Sequence, residues 1–329
     1  MFCKINRLAG RIAIAMGLVL VSTTTLAANE SDYPKNPVRL VVATAAGGGG
    51  DMVARLFANK LSEELKQTVV VENRPGASGV IAATSVLRGA HDGYTLLLAI
   101  TTYAQLPAIQ ENIPFDAKSD FIPISLIARS RNVLLVNRET KVKSVPELVS
   151  AISEKSAGFN YGSWGNGSTA HFMGELFNIK SKVHATHVPY KGSGPMMSDL
   201  LGGVISFAFS DIGAAQAHFD SDRVQPLAVT GGSRVDKLPN VPTMGELGYE
   251  GFDFGGWFGV LAPRGTPAEV VDTLQRASEA AGKDPAVQQK LTELSLDPVG
   301  STGEEFATFL RKDMDTWSTI AKAAGIKTE

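Results

Sequence analysis

The stretch LVVATAAGGGGDMVARLFANKLSEEL, Leu40–Leu65, joins three kinds of local sequence. Mostly apolar residues run into four consecutive glycines, Gly47–Gly50. Asp51 follows, and then Val53, Leu56, Phe57, Leu61 and Leu65 recur at helical spacing. That order predicts a buried strand, a glycine turn and the N-terminus of a helix. The glycines carry no side chain, so a ligand can approach their N–H groups closely. The first amides of a helix lack partners within it, and the helix dipole favours negative charge there. The arrangement suits a carboxylate or another anion. A tight strand-to-helix connection that holds no ligand is the alternative on this segment alone.

Upstream, Lys4, Arg7 and Arg11 form a basic segment without an acid, Ile12–Val21 is an apolar run, and Thr25-Leu26-Ala27 offers small residues at a cleavage site. The pattern predicts a secretory signal peptide over 1–27, removed on export. The apolar run is too short to span a bilayer, which takes about 20 residues. The single cysteine, Cys3, precedes the run, so the mature chain is expected to contain no thiol.

The remaining chain of about 300 residues is long enough for two lobes and for a core that needs no disulfide. Hydrophobic residues make up 44% and charged residues 19%, the balance of a compact globular protein. The formal charge of −2 becomes more acidic once Lys4, Arg7 and Arg11 are removed. With no basic cluster, nucleic acid is not an expected partner.

Strand-like and helical runs then alternate. Strands are expected at 38–43, 68–72, 95–99, within 124–136, at 160–162, 185–189, 206–210, 226–230 and 257–262. Helices are expected at 51–65, 79–88, 146–154, 169–177, 195–201, 267–282, 285–294 and 303–324. Alternation of this kind predicts an α/β protein with parallel sheets. No Ser/Gly/Pro linker divides the chain, so the two lobes are expected to be joined by crossover strands near 126–136 and 227–232. The expected division places lobe one at 28–127 plus 233–329 and lobe two at 128–232.

Further glycine-rich loops sit at strand ends: ENRPGASG (72–79), GSWGNGSTAH (162–171) and PYKGSGP (189–195), with Ser210-Asp211 closing another strand. In parallel α/β sheets ligands bind outside the carboxyl ends of the strands. Each loop alone reads more readily as a simple connection; together they point to a binding cleft. Trp164, in a glycine-flanked loop, is a candidate wall, and Lys191 is a cation within a candidate loop. Catalytic signatures are missing. Asp51 and Met52 stand where a phosphate-binding loop needs Lys and a hydroxyl, Met52 occupies the third-glycine position of a dinucleotide fingerprint, and no G-x-S-x-G occurs. Ser168 and His171 share a helix start without an acid to orient the imidazole, which favours a capping serine and a first-turn histidine. With five histidines and no H-E-x-x-H, no metal site is expected, and His184 with His187 reads as a surface pair.

The blocks PVRLVVATAAGGGGDMVAR (37–55), ENRPGASG, DGYTLLLA (92–99), YGSWGNGSTAHFMGELF (161–177), HVPYKGSGPMMSDLLGG (187–203), PNVPTMGELGY (239–249) and WFGVLAPRGTP (257–267) resemble those of the Bug (TctC-like) receptors, in the same order along the chain. These are periplasmic solute-binding proteins of the tripartite tricarboxylate transporter type. The resemblance implies an α/β, two-lobed periplasmic-binding-protein fold of type II, with a cleft between lobes joined by crossover strands. It also implies hinge closure around a mono-, di- or tricarboxylic acid or a related amino or aromatic acid. Carried over by motif, the ligand-binding positions are Ala46, Gly47, Gly50, Asp51 and Ser78 on lobe one. On lobe two they are Ser163, Asn166, Ser168, Thr169, Lys191, Gly192 and Asp211, to which Trp164 is added as the candidate wall. Two departures stand out. Ala43-Thr44 replaces the family's usual Pro-Phe, and Gly50 replaces a hydroxyl residue beside the anion site. Trp164 stands where small residues are common.

The expected protein is therefore a monomeric, non-enzymatic periplasmic receptor without cofactor or metal, which hands its carboxylate to membrane transporter subunits. A receptor feeding a sensor kinase is the alternative partner, and a secreted hydrolase or lyase is the rival class.

Overall fold

The computed structural model describes residues 33–154 and 158–327. The expected signal peptide lies outside the described residues. In chain order the first part forms β1 (Val38–Val42), α1 (Gly49–Leu65), β2 (Val69–Asn73), α2 (Val80–Leu87), β3 (Thr95–Ile100), α3 (Thr102–Ile109) and β4 (Phe121–Ser130). The middle part forms β5 (Asn132–Asn137), α4 (Val145–Glu154), β6 (Asn160–Ser163), α5 (Thr169–Ser181), β7 (Thr186–Pro189), α6 (Ser193–Leu201), β8 (Phe207–Asp211), α7 (Ile212–Ala215) and β9 (Val224–Val229). The last part forms β10 (Trp257–Pro263), α8 (Ala268–Lys283), α9 (Pro285–Glu293), β11 (Leu296–Pro298) and α10 (Gly303–Ala324).

Two sheets organise these elements. One has the order β11-β4-β10-β3-β1-β2 and the other β7-β6-β8-β5-β9. The chain passes from the first sheet to the second at Arg131, between β4 and β5, and returns between β9 and β10. The expectation of parallel sheets is corrected here: both sheets are mixed. β1 runs parallel to β2 and β3, and β6 parallel to β7 and β8. β10 is antiparallel to β3 and β4, and β5 antiparallel to β8 and β9. The antiparallel pairs involve strands at the two crossings, which enter a sheet from the other lobe rather than over a helical crossover.

Burial explains the layers. Val38, Leu40 and Val42 of β1 pack with Val53, Phe57 and Leu61 of α1 and with Leu274 and Leu291 of α8 and α9. The second sheet buries Val133, Leu135 and Ala208 against Met196 and Leu200 of α6. A third apolar cluster spans both sheets through α10, whose Phe306 meets Trp257 of β10 and whose Trp317 meets Phe172 of α5. The C-terminal helix, expected to return to lobe one, therefore also holds lobe two. Its start is fixed by a capping box, Thr302 with Glu305, which satisfies two otherwise unpaired donors. Among the described residues no helix is long and apolar enough to cross a membrane.

Candidate functional site

A cleft of about 560 Å³ opens at the carboxyl ends of β3 and β8, between the two sheets. Gly49, Met52 and Val53 of α1, Ile100–Thr102 and Gly256–Phe258 line it on the side of the first sheet. Trp164, Thr169, Asp211, Gly213, Ala214 and Gln216 line the other side, with Ser130 at the crossing and Glu293, Leu294 and Leu296 beside it.

The glycine turn enters the cleft as follows. Gly47 adopts φ +79°, a left-handed conformation that favours glycine. Gly48 caps α1 with extended backbone and supplies no side-chain bond to the first amides. Asp51, in the first helical turn and buried, accepts from Gly47 N at 2.9 Å, Arg55 Nε at 3.0 Å and Asn73 Nδ2 at 2.9 Å. Led by the Arg55 bond, these donors hold its carboxyl down to about 2. Asp51 thus locks the turn onto β2. A Cβ at Gly50 would lie 2.7 Å from Thr44 Oγ1. The departures at Thr44 and Gly50 are therefore physically linked: Thr44 occupies the space a side chain at 50 needs, so Gly50 must stay bare.

On the second sheet, Ser168 caps α5 by accepting from His171 N at 3.4 Å, as its position in the sequence predicts. Gly167 N donates to His171 Nδ1 at 3.1 Å. Thr169 Oγ1 accepts from Gln105 Nε2 of α3 at 3.0 Å, a bond between the two lobes. Ser163 is fully buried; its Oγ lies 3.0 Å from Gly165 O and 2.7 Å from His187 Nε2. His187 is half-buried and stacks on His171 with centroids 3.9 Å apart. The expected His184–His187 surface pair is corrected: His184 is exposed, while burial pushes both stacked imidazoles down to about 4. Neutral rings can stack and buttress the loop that carries Trp164. No group of three or more metal-ligating side chains occurs among the described residues.

Of the expected positions, Trp164, Thr169 and Asp211 line the cleft. Gly47, Gly50 and Asp51 shape the turn behind Gly49, and Ser163 and Ser168 shape the loop around Trp164. Ala46, Asn166 and Lys191 are exposed, and Gly192 precedes α6 with φ +119°. Ser78 does not line the cleft itself but a small hollow beside it, with Ala43, Gly79 and Thr102, the last shared with the cleft. Asp211 accepts from Ser130 Oγ at 3.1 Å, and burial pushes its carboxyl up to about 6.

Thr101, Thr102, Ser130 and Gly256 also line the cleft, and nothing in the sequence patterning alone marks them as site residues. Thr101 is buried and its Oγ1 accepts from Trp257 N at 2.7 Å. The nearest sequence signal is the hydroxyl pair Thr101-Thr102 directly after a strand, at a carboxyl end where ligands bind. Pro107 masked the helix that follows, and Gly256 belongs to the cleft only through antiparallel pairing.

Comparison with known proteins accords with this geometry. Residues 53–326 match the family described as "Tripartite tricarboxylate transporter family receptor". Protein BugT of Bordetella pertussis is 32% identical over 320 residues, which cover 96% of this chain and 98% of BugT. The structure of Rpa4515 of R. palustris with adipate has 36% identity and TM-score 0.78, covering 90% of this chain and 99% of that one. MatC from Rhodopseudomonas palustris with bound malate has 30% identity and TM-score 0.73, covering 88% and 99%. Periplasmic binding protein BugD has 32% identity and TM-score 0.75, covering 90% and 100%. The two-sheet architecture and these likenesses over nearly the whole chain make it a member of the tripartite tricarboxylate transporter receptor family.

Proposed function

We propose that this protein is an extracytoplasmic receptor that captures a small carboxylate in the cleft between its lobes and delivers it to the membrane subunits of a tripartite tricarboxylate-type transporter. The observation that carries this reading is the pairing of helix starts: Gly49 at the N-terminus of α1 and Thr169 at the N-terminus of α5 line one cleft from opposite lobes. Unpaired first-turn amides and two helix dipoles favour an anion there. Adipate and malate in the related structures are of the same chemical class.

The carboxylate lies against Gly49, Thr169 and Trp164, with Ala46, Gly47, Gly50, Asp51, Ser163, Asn166, Ser168 and Gly192 forming and flanking the turns. The lobes divide where the chain crosses between the sheets, at Arg131 rather than at 127/128 within β4, and again between β9 and β10, and closure about these crossings traps the ligand. The protein acts in the periplasm after removal of residues 1–27, as a monomer, and performs no chemistry on its cargo. Thermal unfolding of the exported protein against a panel of mono-, di- and tricarboxylates tests this. A concentration-dependent rise in Tm with unchanged ligand afterwards supports it. No shift with any carboxylate, or conversion of the ligand, contradicts it.

A further inference from the structure

One side of the cleft carries an accessible sulfur. Of the eight methionines, Met1 and Met16 lie outside the described residues, as does Cys3. Met173, Met196, Met197, Met244 and Met314 are buried in the apolar clusters. Met52 is 46% exposed and lines the cleft beside Gly49. It is therefore the one sulfur among the described residues that a dissolved oxidant reaches directly, and susceptibility to oxidation follows exposure.

An exposed methionine on a helix is ordinary in itself. The position of this one is not. Met52 stands in the first turn of α1, where Gly48 provides no side-chain bond to the helix-start amides. Helical side chains lean toward the N-terminus, so this one points back toward the end at which an anion is favoured. A thioether suits that place: it is apolar, accepts hydrogen bonds only weakly and leaves the amides to the ligand. Val53, Phe258, Leu294 and Leu296 continue the same apolar wall. A sulfoxide at the same atom is polar. Its oxygen carries partial negative charge and accepts strongly, so it competes with a carboxylate for the helix-start amides and repels it.

We propose that Met52 is an oxidation site that controls capture: the thioether form takes the ligand, and the sulfoxide formed by hydrogen peroxide blocks the helix start. In that step the peroxide O–O bond breaks and an S–O bond forms. The sulfur is oxidised by two electrons and the peroxide is reduced to water. The step is reversible, because methionine sulfoxide reductases return the thioether at the expense of a dithiol. The inference rests on the carboxylate-receptor reading and adds a chemical control of the same site.

The test uses the wild-type protein and Met52→Leu, each divided into an untreated portion and one treated with hydrogen peroxide. Peptide mass spectrometry locates the added oxygen, unliganded Tm verifies the fold, and titration calorimetry follows the carboxylate that raises Tm most in the panel above. In the wild type, Met52 is expected to be oxidised well before the five buried methionines. Affinity is then expected to fall about tenfold or more, comparable to losing a hydrogen bond to a charged group. Both epimer-specific reductases with dithiothreitol are expected to restore it. Met52→Leu is expected to show one affinity before and after peroxide. Three results overturn the inference and leave the carboxylate reading standing: buried methionines oxidised as fast as Met52, unchanged affinity once Met52 is oxidised, or an equal loss in treated Met52→Leu. If the untreated wild type binds no carboxylate of the panel, the reading and the inference fall together. If Met52→Leu binds too weakly to measure, the reductases decide: affinity that does not return with the thioether overturns the inference.

Discussion

Gln105 of α3 and Thr169 at the start of α5 join the two lobes through one buried hydrogen bond, Nε2 to Oγ1 at 3.0 Å. The bond sits at the inner edge of the cleft, so the residue that lines the ligand space also ties the lobes together. Thr169→Val removes the acceptor and strands Gln105, which costs about 1–3 kcal/mol. Adding Gln105→Met removes the stranded donor as well and is expected to restore most of the loss. Urea unfolding of the two single variants and the double variant measures this. Additive losses in the double variant would show that the bond contributes nothing.

Asp313 of α10 gives the fold a second test. Its Oδ2 accepts from Trp257 Nε1 and Trp317 Nε1, each at 2.8 Å, and burial pushes the carboxyl up to about 6. Because the folded state holds its proton more tightly than the unfolded chain does, this group lowers stability as pH rises from about 4 to about 6. Asp313→Asn keeps an acceptor and drops the charge, so stability at pH 8 is expected to stay level or rise. Asp313→Leu leaves two buried indole donors unpaired and is expected to cost about 2–6 kcal/mol at 1–3 for each donor. Thermal unfolding at pH 8 separates the two.

Much of this architecture is readable in the sequence, for identifiable reasons. The run from Thr302 to Ala324 carries a capping box and an unbroken apolar period, and α10 occupies 303–324. The glycine turn after β1 is equally local. The cleft floor is not. Thr101 and Gly256 meet because β3 and β10 pair antiparallel across more than 150 residues, and no spacing along the chain encodes that register. Asp211 reads as the last residue of a strand; that no basic side chain among the described residues pairs with it is a property of the assembled cleft. His187 reads as a neighbour of His184 because the two lie only three residues apart in the chain, whereas its stacking partner His171 comes from another element.

The His171–His187 stack makes stability depend on pH. Both imidazoles are pushed from about 6.5 down to about 4 in the folded protein, so the unfolded chain binds protons first. Stability contributed by the neutral stack is complete above about pH 6.5 and is lost as pH falls toward about 4. Tm is expected to fall steeply across that window. His187→Gln, which cannot be protonated, is expected to flatten the slope. An unchanged slope would mean that other groups dominate.

The Asp51 clamp works in a different range. Its carboxyl is held near 2, so its bonds to Gly47, Arg55 and Asn73 persist at neutral pH and fail only as pH falls from about 4 toward 2. Asp51→Ala frees the glycine turn and is expected to cost about 1–3 kcal/mol. Calorimetry at pH 7 and pH 3 checks the size and its decline.

A carboxylate is expected to bind in the cleft at the two helix starts. Gly49 has ordinary backbone angles, and a Cβ added to it would meet no atom within 4 Å. A side chain there therefore fills the cleft mouth without straining the turn, unlike one at Gly47. The decisive measurement is titration calorimetry of the best-binding carboxylate or amino acid with wild type and with Gly49→Leu, beside thermal unfolding of both. Gly49→Leu is expected to keep its stability in the absence of ligand and to lose at least a hundredfold in affinity. Wild-type affinity in a folded Gly49→Leu variant would contradict it.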